Sequence, residues 1–161
     1  VALACLAAFF LIGRLDVVER NFTAPYLRFI AGCSRWVLRL FGVDAEGPGT
    51  LIDSPVFSVN IVDLCSGLGV TAIFFAAVLG FPATWRSRIL GLAAGVPVIF
   101  LINLTRIVVL FVIGEYYPGL FEDVHHYYAQ AFVMFATVAA WLTWVSLYSA
   151  YGSKSRHPVP R

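Results

Sequence analysis

Three kinds of reactive side chain stand out against an otherwise apolar chain: Cys65, Arg106 and the doublet His125-His126. A thiol is a weak nucleophile until a neighbouring cation or base lowers its pKa from about 8.5. An imidazole serves first as base and later as acid. A guanidinium provides a fixed positive charge for the oxyanion of a tetrahedral intermediate. Together they suit acyl transfer. Singly each signal is weak, since a lone Cys is usually a small packed apolar residue and a His pair is usually a hydrogen-bonded interface feature. Arg106 raises the value of the set. It is the only charge in residues 89–113, a run long enough to cross a bilayer. An Arg at mid-span costs roughly 2.5–3.5 kcal/mol on insertion scales. It is therefore expected to face a polar pocket, with Asn103 one turn back on the same face. The plainer role is an Arg that only neutralises a structural carboxylate.

The elements that must position these groups follow from composition. Hydrophobic residues make up 60% of the chain and charged residues 12%, and a soluble domain carries about twice that charge. The expected class is an all-α polytopic membrane protein, a single membrane-embedded domain over residues 1–161. Four apolar stretches read as spans: residues 1–15, 68–85, 89–113 and 127–148, the last ending in a belt of Trp141, Trp144 and Tyr148. The chain does not begin with Met, so the first span is expected to be truncated. No cleavage pattern of small residues precedes Arg14, which favours a retained span over a signal peptide. No basic stripe interleaved with aromatics points to nucleic acid.

Charge assigns the sides. A tight link between the second and third spans holds Arg86 and Arg88, and the tail holds Lys154, Arg156 and Arg161, with no acid in either. All nine acids fall in the other two segments. The positive-inside rule then places the link and the tail in the cytoplasm. Arg14, Arg20, Arg28, Arg35 and Arg39 in the long outer segment level the raw count, so the orientation rests on the short link, where the bias is strongest.

Within that outer segment, residues 25–41 have helical period, with Arg28, Arg35 and Arg39 on one face and Phe29, Ile30, Cys33, Trp36, Val37 and Leu40 on the other. This predicts an interfacial amphipathic helix, a role compatible with packing on the spans. After the breaker Gly47-Pro48-Gly49, β-branched residues flank Asp53-Ser54-Pro55 over residues 50–62 and predict a short extracytoplasmic β-hairpin. It leads into Cys65, expected at the start of the second span, where a helix dipole favours a thiolate. Arg106 lies eight residues before Gly114, about 12 Å below the outer end of its helix, and its side chain can snorkel upward. His125 and His126 open the last span. Thiol, guanidinium and imidazole thus meet at one level, in the outer leaflet.

Three ordered motifs carry a resemblance: Val62-Asp63-Leu64-Cys65-Ser66-Gly67-Leu68, Asn103-Leu104-Thr105-Arg106-Ile107 and Phe121-Glu122-Asp123-Val124-His125. Over about residues 50–150 the chain resembles the exosortase/archaeosortase transpeptidases. The resemblance implies Cys65 as nucleophile, with Arg106 and His125 completing the site. Asn103, Ser66, Gly67 and His126 border these groups and are expected to contact substrate. Ala129 stands where some branches have Gly four residues after the His, and that spacing, with Gln130 next, favours His125 over His126. The implied substrates are exported proteins whose C-terminus carries a sorting motif, a hydrophobic span and a basic cluster. The implied location is a prokaryotic cytoplasmic membrane, with the site at the extracytoplasmic face. The hairpin edge is expected to offer a strand to an extended peptide.

Other roles compete. Three cysteines, Cys5, Cys33 and Cys65, allow a Cys33–Cys65 disulfide. Adjacent histidines on a helix point about 100° apart and make a poor metal pair, and no Cys/His cluster has metal spacing. No cofactor or metal is expected. Gly91, Ala94, Gly95 and Pro97 suggest close helix packing. The alternative of another class is a non-enzymatic transporter or membrane subunit, in which Arg106 binds an anion or lipid headgroup.

Overall fold

The computed structural model describes residues 16–154, so the first expected span lies outside the described residues. Helix α1, Ala24–Leu40, follows a helical lead-in through Asp16–Val18 and a π turn, Glu19–Thr23. Pro25 sits in its first turn, directly after the π turn. Strands β1 (Leu51–Asp53) and β2 (Ser58–Asn60) pair antiparallel in the register Leu51↔Asn60, Ile52↔Val59 and Asp53↔Ser58. A 3₁₀ turn, Asp63–Cys65, precedes α2 (Leu68–Gly80). Helix α3 runs Trp85–Tyr116, and α4 runs Ala129–Lys154 after a short segment, Pro118–Asp123, and a π turn, Val124–Tyr128. The expected amphipathic helix and hairpin are both present.

Two helical stretches, Trp85–Tyr116 and Pro118–Tyr148, are long and apolar enough to cross a membrane. The second has only 11% of its apolar window buried. A soluble core helix would be mostly covered, whereas Phe132, Phe135, Val138 and Leu142 here face outward. The second expected span is corrected. It stops at Gly80, and its 13 residues give a length of about 20 Å against a hydrocarbon core of about 30 Å. The cause is Pro82, which forces Phe81 into an extended conformation. The link is corrected as well. Arg86 and Arg88 lie in the first turn of α3, capped by the Thr84 side chain, which accepts from Ser87 N.

Packing forms two apolar cores strung along α3. The lower one joins Phe74 and Val78 of α2 to Ile99, with Trp141 and Trp144 against them. Here α3 approaches both neighbours closely: a Cβ on Gly95 would lie 2.2 Å from the Phe74 ring of α2, and one on Gly91 would lie 2.3 Å from Trp144 Nε1 of α4. These two glycines do the packing expected of them, while Ala94 and Pro97 face outward. The expected aromatic belt converges on Phe81, whose ring centroid lies 6.1, 5.6 and 6.2 Å from those of Trp141, Trp144 and Tyr148.

The upper core joins Ile30, Ala31 and Leu38 of α1 and Ile52 of the hairpin to Ile107, Val108 and Phe111 of α3. The exposed face of α1 carries Phe29, Trp36 and Leu40, as an interfacial helix requires. Arg35 and Arg39 tie α1 to the loop ahead, donating to Leu51 O at 2.7 Å and to Ala45 O at 3.0 Å. The hairpin turn docks on the end of α3, where Ser54 Oγ donates to Glu115 Oε2. Phe57 beside it packs on Phe111 and Phe121, at 5.5 and 4.9 Å between centroids.

A Cβ on Gly114 would lie 2.4 Å from the Phe57 ring. Gly114→Val is expected to cost about 1–3 kcal/mol by overpacking. The double variant with Phe57→Ala should lose less than the sum of the two single losses, because each relieves the other. Thermal unfolding in detergent reads both, and strict additivity would show that ring and helix do not share this space.

Candidate active site

Cys65 closes the 3₁₀ turn and stands three residues before α2, so it is not in the first turn of an α-helix as expected. Its N–H donates to Val62 O at 2.9 Å, and Ser66 N donates to Asp63 O at 3.1 Å. Ser66 is fully buried. Its hydroxyl donates to Asp63 O at 2.6 Å and accepts from Leu68 N at 3.1 Å, so it serves the turn. Gly67 adopts a left-handed backbone with φ 77° and turns the chain into α2. A Cβ there would meet Asn103 Cγ at 2.8 Å. The turn therefore lies against the Asn103 amide, which is 0% exposed and donates from Nδ2 to Cys65 O at 3.1 Å. On the other side Tyr26 donates its phenol to Ser66 O at 3.2 Å. Burial pushes that phenol's pKa above the ordinary 10.0, so it stays a donor.

Arg106 is buried, one turn beyond Asn103 on α3. It lines a cavity of about 270 Å³ between α3 and the start of the last helix, with Val109, Leu110, Val124, Ala129 and Phe132. Among the described residues no carboxylate pairs with it.

The two histidines part company. The His125 ring stacks on Phe121 at 5.4 Å and lies within the field of Arg106. His126 is exposed and holds Glu122 Oε2 at 3.2 Å. Their rings are 5.2 Å apart and nearly perpendicular. Five buried side-chain polar atoms among the described residues have no hydrogen-bond partner, and three of them are Asn103 Oδ1, Arg106 Nε and His125 Nδ1. Buried polar groups are nearly always satisfied, and two of these three atoms, on Asn103 and Arg106, lie one turn apart on α3. Among the described residues no hydrogen bond joins Cys65 to either imidazole. Cys33 and Cys65 are both free thiols, so the expected competing disulfide is absent. No metal-binding group of His, Cys, Asp and Glu occurs among the described residues.

This geometry defines a mostly helical protein with two helices fit to span a membrane, whose Cys65 turn is braced on buried Asn103, one turn before buried Arg106. The family model described as Transmembrane exosortase (Exosortase_EpsH) matches residues 1–144, and the chain belongs to that family. No curated protein and no solved structure matches it.

Sequence reasoning missed Tyr26 and the pair Phe57 and Phe121. Tyr26 carries no spacing signal, because its partner is a backbone carbonyl 40 residues away. Phe121 was visible only as a motif letter, and its stacking on His125 needed coordinates.

Gly67→Ala should cost about 2–4 kcal/mol, from the left-handed backbone and the clash with a buried amide. Gly69→Ala meets nothing within 4 Å. It should be neutral or gain up to about 1 kcal/mol of helix propensity. Thermal unfolding of the two variants in detergent checks the contrast, and equal melting temperatures would contradict it.

Proposed function

We propose that this protein is a membrane cysteine transpeptidase of the prokaryotic cytoplasmic membrane, with its site at the extracytoplasmic face. Its substrates are exported proteins bearing a C-terminal sorting signal of motif, hydrophobic span and basic cluster. What supports this is the pair of unsatisfied buried atoms Arg106 Nε and His125 Nδ1, together with the Cys65 turn bonded to Asn103 one turn from Arg106 on the same helix.

The Cys65 thiolate attacks the carbonyl carbon at the cleavage site, forming a C–S bond. Arg106 holds the resulting oxyanion in a site whose apolar walls strengthen the attraction. The C–N bond then breaks, and the leaving amine takes its proton from His125. The thioester remains on Cys65 until an acceptor nucleophile, deprotonated by His125, displaces the thiolate. Each proton taken is returned. Thiol and imidazole are not hydrogen-bonded in the free site, and such contacts commonly tighten once substrate is seated between the groups.

Cys65→Ala should abolish cargo processing while the folded protein accumulates normally, and Cys65→Ser should be far slower because a hydroxyl ionises with more difficulty. Normal processing by Cys65→Ala would favour the transporter or subunit reading instead. Arg106→Lys should fail nearly as badly as Arg106→Ala, since an ammonium lacks the planar fork. Recovery of most activity by Lys would reduce Arg106 to a generic counter-charge.

His125→Ala should stop transfer, whereas His126→Ala, which loses only an exposed pairing with Glu122, should retain a substantial fraction. The assay is thioester trapping in cells carrying the matched cargo. The reverse order of severity would move the proton carrier to His126.

A further inference from the structure

We infer that Tyr26 and Asn103 form a two-point clamp that sets the height and angle of the Cys65 thiol. This rests on the reading of Cys65 as nucleophile. The turn from Asp63 to Gly67 has carbonyls to satisfy. Val62 O and Asp63 O are used inside the turn, and Gly67 O accepts from Thr71 N at 3.0 Å and Thr71 Oγ1 at 2.9 Å. Only Cys65 O and Ser66 O, on the two peptide groups that follow the thiol's Cα, are taken by distant side chains. One donor comes from α3 and the other from α1, so the backbone beside the thiol is suspended between two helices. Removing either donor leaves a carbonyl of the turn without its partner, and a buried polar group in that state costs more than the bond was worth.

Both donors act through the backbone of Cys65 and Ser66 and make no contact with the thiol. Asn103 is fully buried against Gly67, so its amide supports the turn from beneath. Tyr26 belongs to the helix that presents Phe29 and Trp36 outward. Seating that helix in the membrane surface therefore also seats the thiol. Both are positioning residues.

A purely structural anchor and a positioning clamp predict different outcomes. In a variant retaining only Cys65, loosening the turn should expose the half-buried thiol. Alkylation by a small maleimide then rises while thioester formation with cargo falls. For Tyr26→Phe we expect alkylation about fivefold faster and kcat about tenfold lower with KM unchanged, the scale of one lost hydrogen bond to a buried acceptor. Asn103→Leu, which keeps the volume and removes the donor, should act in the same two directions. Tyr116→Phe, exposed and outside the site, is the control.

A folded Tyr26→Phe with unchanged alkylation and unchanged kcat overturns the clamp, as does a fall in melting temperature alone. If Tyr26→Phe does not fold, the same pair of measurements on Asn103→Leu decides. Unimpaired cargo processing by Cys65→Ala would instead overturn the nucleophile reading, and the alkylation data would still judge the clamp.

Discussion

The hydrogen bond from Asn103 to the Cys65 carbonyl lies in a seam on which the rest of the architecture depends. Below it, α2, α3 and α4 pack through Phe74 and Ile99. Above it, α1 and the hairpin pack through Ile30 and Ile52 on Ile107 and Phe111. A single helix carries both cores, and Asn103 and Arg106 occupy the short stretch of α3 between them. Polar side chains in such a place are costly unless partnered. The Asn103 donor is satisfied by the turn, whereas its Oδ1 and Arg106 Nε are not. The fold therefore stabilises two apolar bodies and leaves two buried polar atoms unmet at their junction.

That junction also bears on the setting of Arg106. Counted from Trp85, Arg106 lies 21 residues along α3, a rise of about 32 Å. This is close to the full hydrocarbon thickness of about 30 Å. A helix of 32 residues is about 48 Å long, so its last three turns stand above the core. Those turns are apolar because α1 and the hairpin cover them, and no lipid is needed to explain them. The turns around Arg106 are thus roofed by protein, through the packing of α1 and the hairpin on Ile107, Val108 and Phe111.

Burial by protein and burial by lipid leave the same apolar pattern, so hydropathy alone does not divide α3 between them. The same ambiguity hid the shortness of α2: the apolar run continues through Phe81 and Trp85, and only the φ restriction at Pro82 divides it. The amphipathic helix and the hairpin were legible because their signals are local, a 3.6-residue period and a turn between β-branched runs. The candidate site residues stood out as types with unusual positions, Arg106 above all. Their supports did not. Tyr26 acts on a carbonyl, and carbonyls have no letter in a sequence. Asn103 was visible as a neighbour of Arg106, but whether its amide meets substrate or backbone depends on Gly67 pressing against it.

Cys65 and His125, the two groups proposed to react, are held by different means. The Cys65 turn hangs from α1 and α3 by hydrogen bonds. His125 is held by ring packing, in a series from Phe111 to Phe57 to Phe121 to the imidazole. Phe57 belongs to the hairpin turn, which Ser54 and Glu115 fasten to the end of α3. Both supports thus end on α3, one at Asn103 and the other at Phe111, Gly114 and Glu115, on either side of Arg106. A π turn at Val124–Tyr128 inserts its extra residue where the imidazole is carried, and such turns recur at functional sites. Because the supports are separate, thiol and imidazole need not touch in the free protein. In the proposed reaction Arg106 is the group that would hold the substrate carbonyl. A peptide carbonyl placed against its unpaired Nε would bring both groups into register through the substrate itself.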